Sequence, residues 1–344
     1  MGAVIDEVLD LLKDTAPEFR GGLSNHGPMA AEALFALDRG EQALSWAEGY
    51  MTRLEPRLPH RAVISETNWL EALGDYGRVS DWIAFFDRQL ADVAWRTVVA
   101  KWVPRLVPGI FAGAMHGVIR SGHAVRSLSA EETSVRLHEL AQGLGYWASR
   151  YQTLPGELAG GGEWWPSQAI QHVGMLPASL QPHSGLITHR VRALDRFPPF
   201  SDVINLVDIH IHSSDFISDL TVTAARACLF SVPHFGNAIA YVHALTGPRM
   251  LRIIAPYLAD EDVGLALAYG WQAAAGIWAT YGYESDDTVP PDLNDANTED
   301  LIDQAVATAD EHAIKFTEAC LSEGDLTPSS LYLASAWDVA RRLK

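Results

Sequence analysis

Asp310-Glu311-His312-Ala313-Ile314-Lys315-Phe316-Thr317-Glu318 lies inside a segment, roughly residues 298–321, whose apolar residues recur every three or four positions and predict a long helix. On that helix His312 and Lys315 stand three residues apart and share a face. The pair is chemically awkward. An imidazole binds a transition metal in its neutral form, whereas a lysine at its ordinary pKa of about 10.4 is a cation that repels one. Lys315 is therefore either a plain surface charge or a chemically altered side chain.

The same helical spacing extends outward along the chain. It covers residues 4–12, 29–37, 41–54, 80–101, 111–126 and 130–149, returns from Ser201 onward, ends one segment at Gly247-Pro248, and covers 261–281. No alternating run bounded by turns predicts a sheet. The expected fold is all-α, a multi-helix globular bundle forming a single domain over residues 1–344, with a loop-rich cap around residues 153–200. With 344 residues, 48% of them hydrophobic, the chain can build a sizeable core. A net charge of −18, from 25 Lys+Arg against 43 Asp+Glu, argues against a nucleic-acid groove or an anionic membrane as partner.

Two distant cysteines, Cys228 and Cys320, suggest neither a disulfide framework nor a zinc finger. The N-terminus lacks the basic start of a secretion signal, so a cytoplasmic location is expected. The most apolar long run, residues 102–119, is interrupted by Pro104, Arg105, Pro108 and His116 and does not suit a membrane span. No glycine-rich phosphate loop follows a strand, which disfavours a Rossmann-type nucleotide site. Paired ExxH motifs of di-iron bundles are also missing.

Several segments carry candidate chemistry. His26 precedes Gly27-Pro28, with Pro28 at the expected first helical position, and a helix N-terminus favours neutral imidazole; simple capping by Asn25 or His26 is the alternative. In residues 111–126 the spacing aligns His116, Arg120 and His123 on one face, and Gly113, Gly117 and Gly122 imply close approach by another backbone or a ligand. The loop at 153–163 suits a hinge or lid, and Trp164, Trp165 and His183 beyond it suit either the wall of a flat-ligand pocket or an ordinary cap. His243 lies within an apolar helical run, where a satisfied core histidine is the plain reading. Asp208-Ile-His210-Ile-His212 has the look of a hydrolase metal pair but lacks the barrel strand that such pairs need.

Taken together, Asn25-His26 before a helix, His116-Gly-Val-Ile-x-x-Gly-x-Ala, His243-Ala-Leu-Thr and His312-Ala-x-Lys315 resemble the questin oxidase family, whose fungal members open the ring of anthraquinones. The resemblance implies a mononuclear non-haem Fe(II) oxygenase, acting as a dioxygenase or a Baeyer–Villiger-type monooxygenase in polyketide secondary metabolism. It implies His26, His116, His243, His312 and a carboxylated Lys315 as ligands, which would turn the lysine into an oxygen anion suited to iron. Arg120 and His123, where the sequence departs from the fungal pattern, become candidates for stabilising phenolate or peroxide charge. The expected partners are a small aromatic substrate and dioxygen, with NADPH as candidate reductant and a homodimer as candidate assembly. A non-catalytic carrier of a polycyclic metabolite is the competing reading, separated from the first by metal content.

Overall fold

Helices supply almost all the regular structure in a computed structural model that describes residues 2–182, 184–230, 235–282 and 297–344. The all-α expectation holds. The sheet content among the described residues is one small antiparallel ribbon, β1 (Glu18–Phe19) with β2 (Leu23–Ser24), plus isolated bridges. By packing, the chain divides into two compact units, one of residues 1–153 with 253–262, the other of residues 154–252 with 263–344. Among the described residues no helix is long and apolar enough to cross a membrane.

The first unit contains α1 (Gly2–Leu12), α2 (Gly27–Ala36), α3 (Ala43–Met51), α4 (Val79–Asp92), α5 (Trp95–Leu106), α6 (His116–Ala130) and α7 (Ser134–Ser149). Helix α7 packs against both α4 and α6. The aromatic residues of α4 and α5 form core: Trp82, Phe85, Phe86 and Trp102 are all buried, and the Trp102 ring lies 5.1 Å from that of Phe85 and 5.2 Å from that of Phe86. Residues 80–101, however, are two helices rather than one, because Val93 and Ala94 are extended. Apolar periodicity reports a buried stripe, and two helices that each bury one read as a single run.

The onset of α6 also differs from expectation. Gly113, Ala114 and Met115 all adopt positive φ, at 58°, 58° and 70°, so residues 113–115 form a left-handed turn and the helix begins only at His116. Ala114 and Met115 carry the steric cost of that region, roughly 1–2 kcal/mol each. Close packing at Gly117 is as predicted: a Cβ there would lie 2.7 Å from the Cα of Trp147 on α7.

The second unit contains α8 (Ser213–Phe230), most of α9 (Phe235–Ile254) and of α10 (Asp260–Tyr281), α11 (Thr298–Ala307), α12 (Glu311–Leu326) and α13 (Ser330–Arg342). Helix α13 packs on α8, α11 and α12. Helix α9 does not stop at Gly247-Pro248 but runs through it. Pro248 forfeits the hydrogen bond that its missing N–H would have given to the carbonyl of Ala244, and its ring crowds that carbonyl, but the helix carries it. The predicted helix over 298–321 is instead α11 and α12, broken where Ala309 takes φ 52° and Asp310 caps α12 by accepting from the N–H groups of His312 and Ala313. The expected cap at 153–200 is loop with one-turn helices at Pro166–Ala169 and Ile187–Arg190.

Glycines with and without neighbours give a direct test of the α6–α7 contact. Gly117→Ala and Gly143→Ala would place a Cβ 2.7 Å and 2.9 Å from backbone atoms of the facing helix, and each should lower stability by roughly 1–3 kcal/mol. Gly49→Ala, in α3 with no atom within 4 Å, should raise it by up to about 1 kcal/mol. Urea midpoints of the three variants report this; equal midpoints would remove the contact.

Candidate metal centre

In the first unit the β1–β2 ribbon delivers the chain into α2. Asn25 secures the junction: its side-chain carbonyl accepts from the Gly27 N–H at 3.0 Å and its amide donates to Thr15 and to the Ala16 carbonyl. His26, at the N-cap, makes no side-chain capping bond. Its backbone N–H donates to the Tyr50 hydroxyl at 2.9 Å. The His26 ring lies 4.4 Å from the His116 ring, centroid to centroid, tilted by 44°. Both residues are buried.

His116 is aimed by the left-handed turn that precedes it. Its Nδ1 pairs with the Gly113 carbonyl. Because a carbonyl only accepts, Nδ1 carries the proton and the lone pair sits on Nε2, the tautomer that a metal ligand needs.

In the second unit His243 is held the same way, Nδ1 to the Ile239 carbonyl at 2.6 Å. Burial, then the charges of His312 and Lys315, push its pKa well below the ordinary histidine value, so the ring is neutral. The His312 ring lies 5.8 Å from it. His312 occupies the first turn of α12, with Asp310 accepting from its backbone N–H at 2.8 Å and lying 3.2 Å from its Nδ1. Lys315 is 1% exposed, and burial lowers its pKa to about 8 against the opposing pull of Glu311 and Asp310. The plain reading of Lys315 as a surface charge is thereby removed. A neutral ring at His243, the neighbouring His312 ring and a lysine whose pKa burial brings down to about 8 are a donor set that suits a transition metal.

Arg120 and His123 do follow His116 along α6, but each is engaged by a carboxylate. Arg120 donates from Nε and Nη2 to Glu139 of α7 at 2.6 and 2.8 Å. His123 Nδ1 lies 2.6 Å from Glu32 of α2, which also receives Arg126. Trp164 stacks on His172 at 3.9 Å, and Trp165 is 39% exposed at the start of the one-turn helix. His183 lies outside the described residues. His210 and His212 stand on a turn before α8 and join no metal-type cluster among the described residues.

Sequence reasoning missed Glu311, buried, with a carboxylate oxygen within 4.8 Å of a His312 ring nitrogen. Its signal was its place next to His312. Glu32 and Glu139 were missed too, because a buried carboxylate on an otherwise apolar stripe is visible only once its partner is known.

Glu32 makes the first unit sensitive to acid. Burial alone would raise its carboxyl, but Arg126 and His123 outweigh this and bring it from 4.5 down to about 2. A lowered folded pKa stabilises above the unfolded value, and that stability is lost as pH falls from about 4.5 toward 2. Glu32→Gln should cost on the order of 3 kcal/mol at neutral pH, with the difference shrinking across that acid range. Urea unfolding at a series of pH values measures it; a difference that does not vary with pH would show that the charge is not the cause.

No curated protein matches the chain. The resemblance read from its four histidine segments is met in the part that carries His26 and His116: residues 23–164 match the model of a family described as questin oxidase-like.

Proposed function

We propose that the protein is an oxygenase-type oxidoreductase in which His26, His116, His243, His312 and Lys315 hold one ferrous ion. The substrate of this reading is a polycyclic aromatic such as an anthraquinone, cleaved oxidatively. The observation that carries it is the presentation of His116 and His243, both buried and both bonded through Nδ1 to a backbone carbonyl of their own segment. That arrangement selects the metal-binding tautomer without spending a carboxylate on it. The matched family supports the oxygenase class.

Iron bound there would supply the activation of dioxygen. The protein's own contributions are positional and electrostatic. Lys315 becomes a ligand when its neutral amine adds carbon dioxide and releases one proton, giving an anionic carbamate; its burial makes the neutral amine accessible. Arg120 and His123, through Glu139 and Glu32, hold the helix that carries His116 against its neighbours. A non-catalytic carrier would need none of these imidazoles in the unprotonated-Nε2 form.

Alanine at His26, His116, His243 or His312 should reduce iron affinity by more than about 10-fold, the lower end of what loss of even an outer partner costs a site. His210→Ala should leave it unchanged. Lys315→Ala should abolish dioxygen uptake with helical content retained, and carbon-13 bicarbonate should label the parent protein but not this variant. Iron content equal in all five histidine variants would overturn the ligand set, and metal-free protein that binds an anthraquinone would favour the carrier.

A further inference from the structure

We propose that Tyr146 is a redox-active tyrosine that hands its proton to Glu18 when it gives up an electron. The geometry begins in the ribbon, where the β1–β2 register sets Glu18 opposite Ser24. Cross-strand partners point to the same face, and both side chains meet the Tyr146 hydroxyl. Tyr146 donates to Glu18 Oε1 at 2.8 Å. Since the phenol has one proton, the Ser24 hydroxyl, also at 2.8 Å, is the donor to the phenol oxygen. Other tyrosines are dressed differently: the hydroxyls of Tyr257 and Tyr332 pair with those of Ser129 and Thr221.

An oxidised phenol is a strong acid, so a phenol is readily oxidised only where a base within hydrogen-bond reach takes the proton as the electron leaves. Glu18 stands at that distance. Burial first, and then the neighbouring Glu18 charge, raise the Tyr146 pKa well above the ordinary value, which keeps the resting group a neutral phenol. The balance is simple. Tyr146 loses one electron to a one-electron oxidant and one proton to the Glu18 carboxylate, leaving a neutral phenoxyl radical and a carboxylic acid; the oxidant is reduced by one electron.

Position supplies the two ends of the path. A Cβ on Gly113 would lie 2.5 Å from the Tyr146 hydroxyl, and the carbonyl of the same Gly113 orients His116. One residue of backbone therefore separates the phenol from a candidate ligand. On the other side the Tyr76 ring stands edge-on at 6.5 Å and is only half-buried, with the Arg150 guanidinium 4.1 Å above it. Arg150 also donates to Glu18 Oε1 at 2.7 Å, tying Tyr146, Glu18 and Tyr76 into one cluster. Tyr76 is thus the edge of the cluster nearest to solvent. Tyr146 is itself 1% exposed, which keeps the radical from solvent quenching.

This proposal rests on the oxygenase reading for its oxidant in the cell, a metal centre at His26 and His116, but its test supplies an oxidant of its own. The metal-free full-length protein is exposed to photogenerated tris(bipyridine)ruthenium(III), frozen, and measured by electron paramagnetic resonance. A long-lived tyrosyl signal is expected, narrowed by ring-deuterated tyrosine and split by fluorine when 3,5-difluorotyrosine replaces Tyr146, a change that keeps the phenol where Tyr146→Phe would remove its hydrogen bonds to Glu18 and Ser24. Glu18→Gln should slow formation of the signal on the order of 100-fold. A signal without fluorine splitting, one indifferent to Glu18→Gln, or no tyrosyl signal overturns the proposal. Protein that binds iron yet shows no radical at Tyr146 refutes this inference alone, whereas protein that forms the radical but binds no iron refutes the metal reading alone.

Discussion

Desolvation is the constraint on which the buried polar chemistry of both units depends. A charge taken out of water must be matched or given up. Where α6 buries a guanidinium and an imidazole, the flanking helices answer with carboxylates, Glu139 from α7 and Glu32 from α2. Where burial outweighs the neighbouring charges the charged form is disfavoured: His243 is pushed to the neutral ring, and the Lys315 pKa is drawn down to about 8. One physical cause thus yields ion pairs that fix helices in one place and uncharged donors in another.

Local backbone then decides which atom of a neutral imidazole is presented. For His243 the acceptor is the carbonyl one helical turn back, at Ile239. For His116 no preceding turn of helix exists, and the left-handed run through Gly113, Ala114 and Met115 brings a carbonyl round to do the same work. Two non-glycine residues in that conformation are a cost concentrated beside a candidate ligand, which is where strained backbone tends to be retained.

Helix identity was legible because most helices bury an apolar stripe, and His26 was legible as a helix-entry residue because Gly27-Pro28 follows it. Boundaries were less so. Val93-Ala94 interrupts no apolar pattern, and the break at Ala309 rests on one residue's φ, although Asp310 followed by Glu311 was a readable capping signal. Pro248 misled in the other direction, since a single proline can be carried inside a long helix. Of the candidate site, the histidines showed through residue type and order. The carboxylate partners of Arg120 and His123 did not, because they lie on other helices, 19 residues away for Glu139 and 91 for Glu32.

The ribbon that carries Glu18 and Ser24 is only two residues long on each side. Its side chains alternate between faces, so a shift of pairing by a single residue would put Glu18 and Ser24 on opposite faces, and they could no longer meet the Tyr146 hydroxyl together. The turn between them, residues 20–22, is held entirely at positive φ. Variation in this stretch is accordingly constrained in residue type, because the left-handed backbone favours glycine at Gly21 and Gly22, and in length: an insertion or deletion of one residue there would change a hydrogen-bonded core junction, although it falls in what a sequence comparison would score as a surface loop.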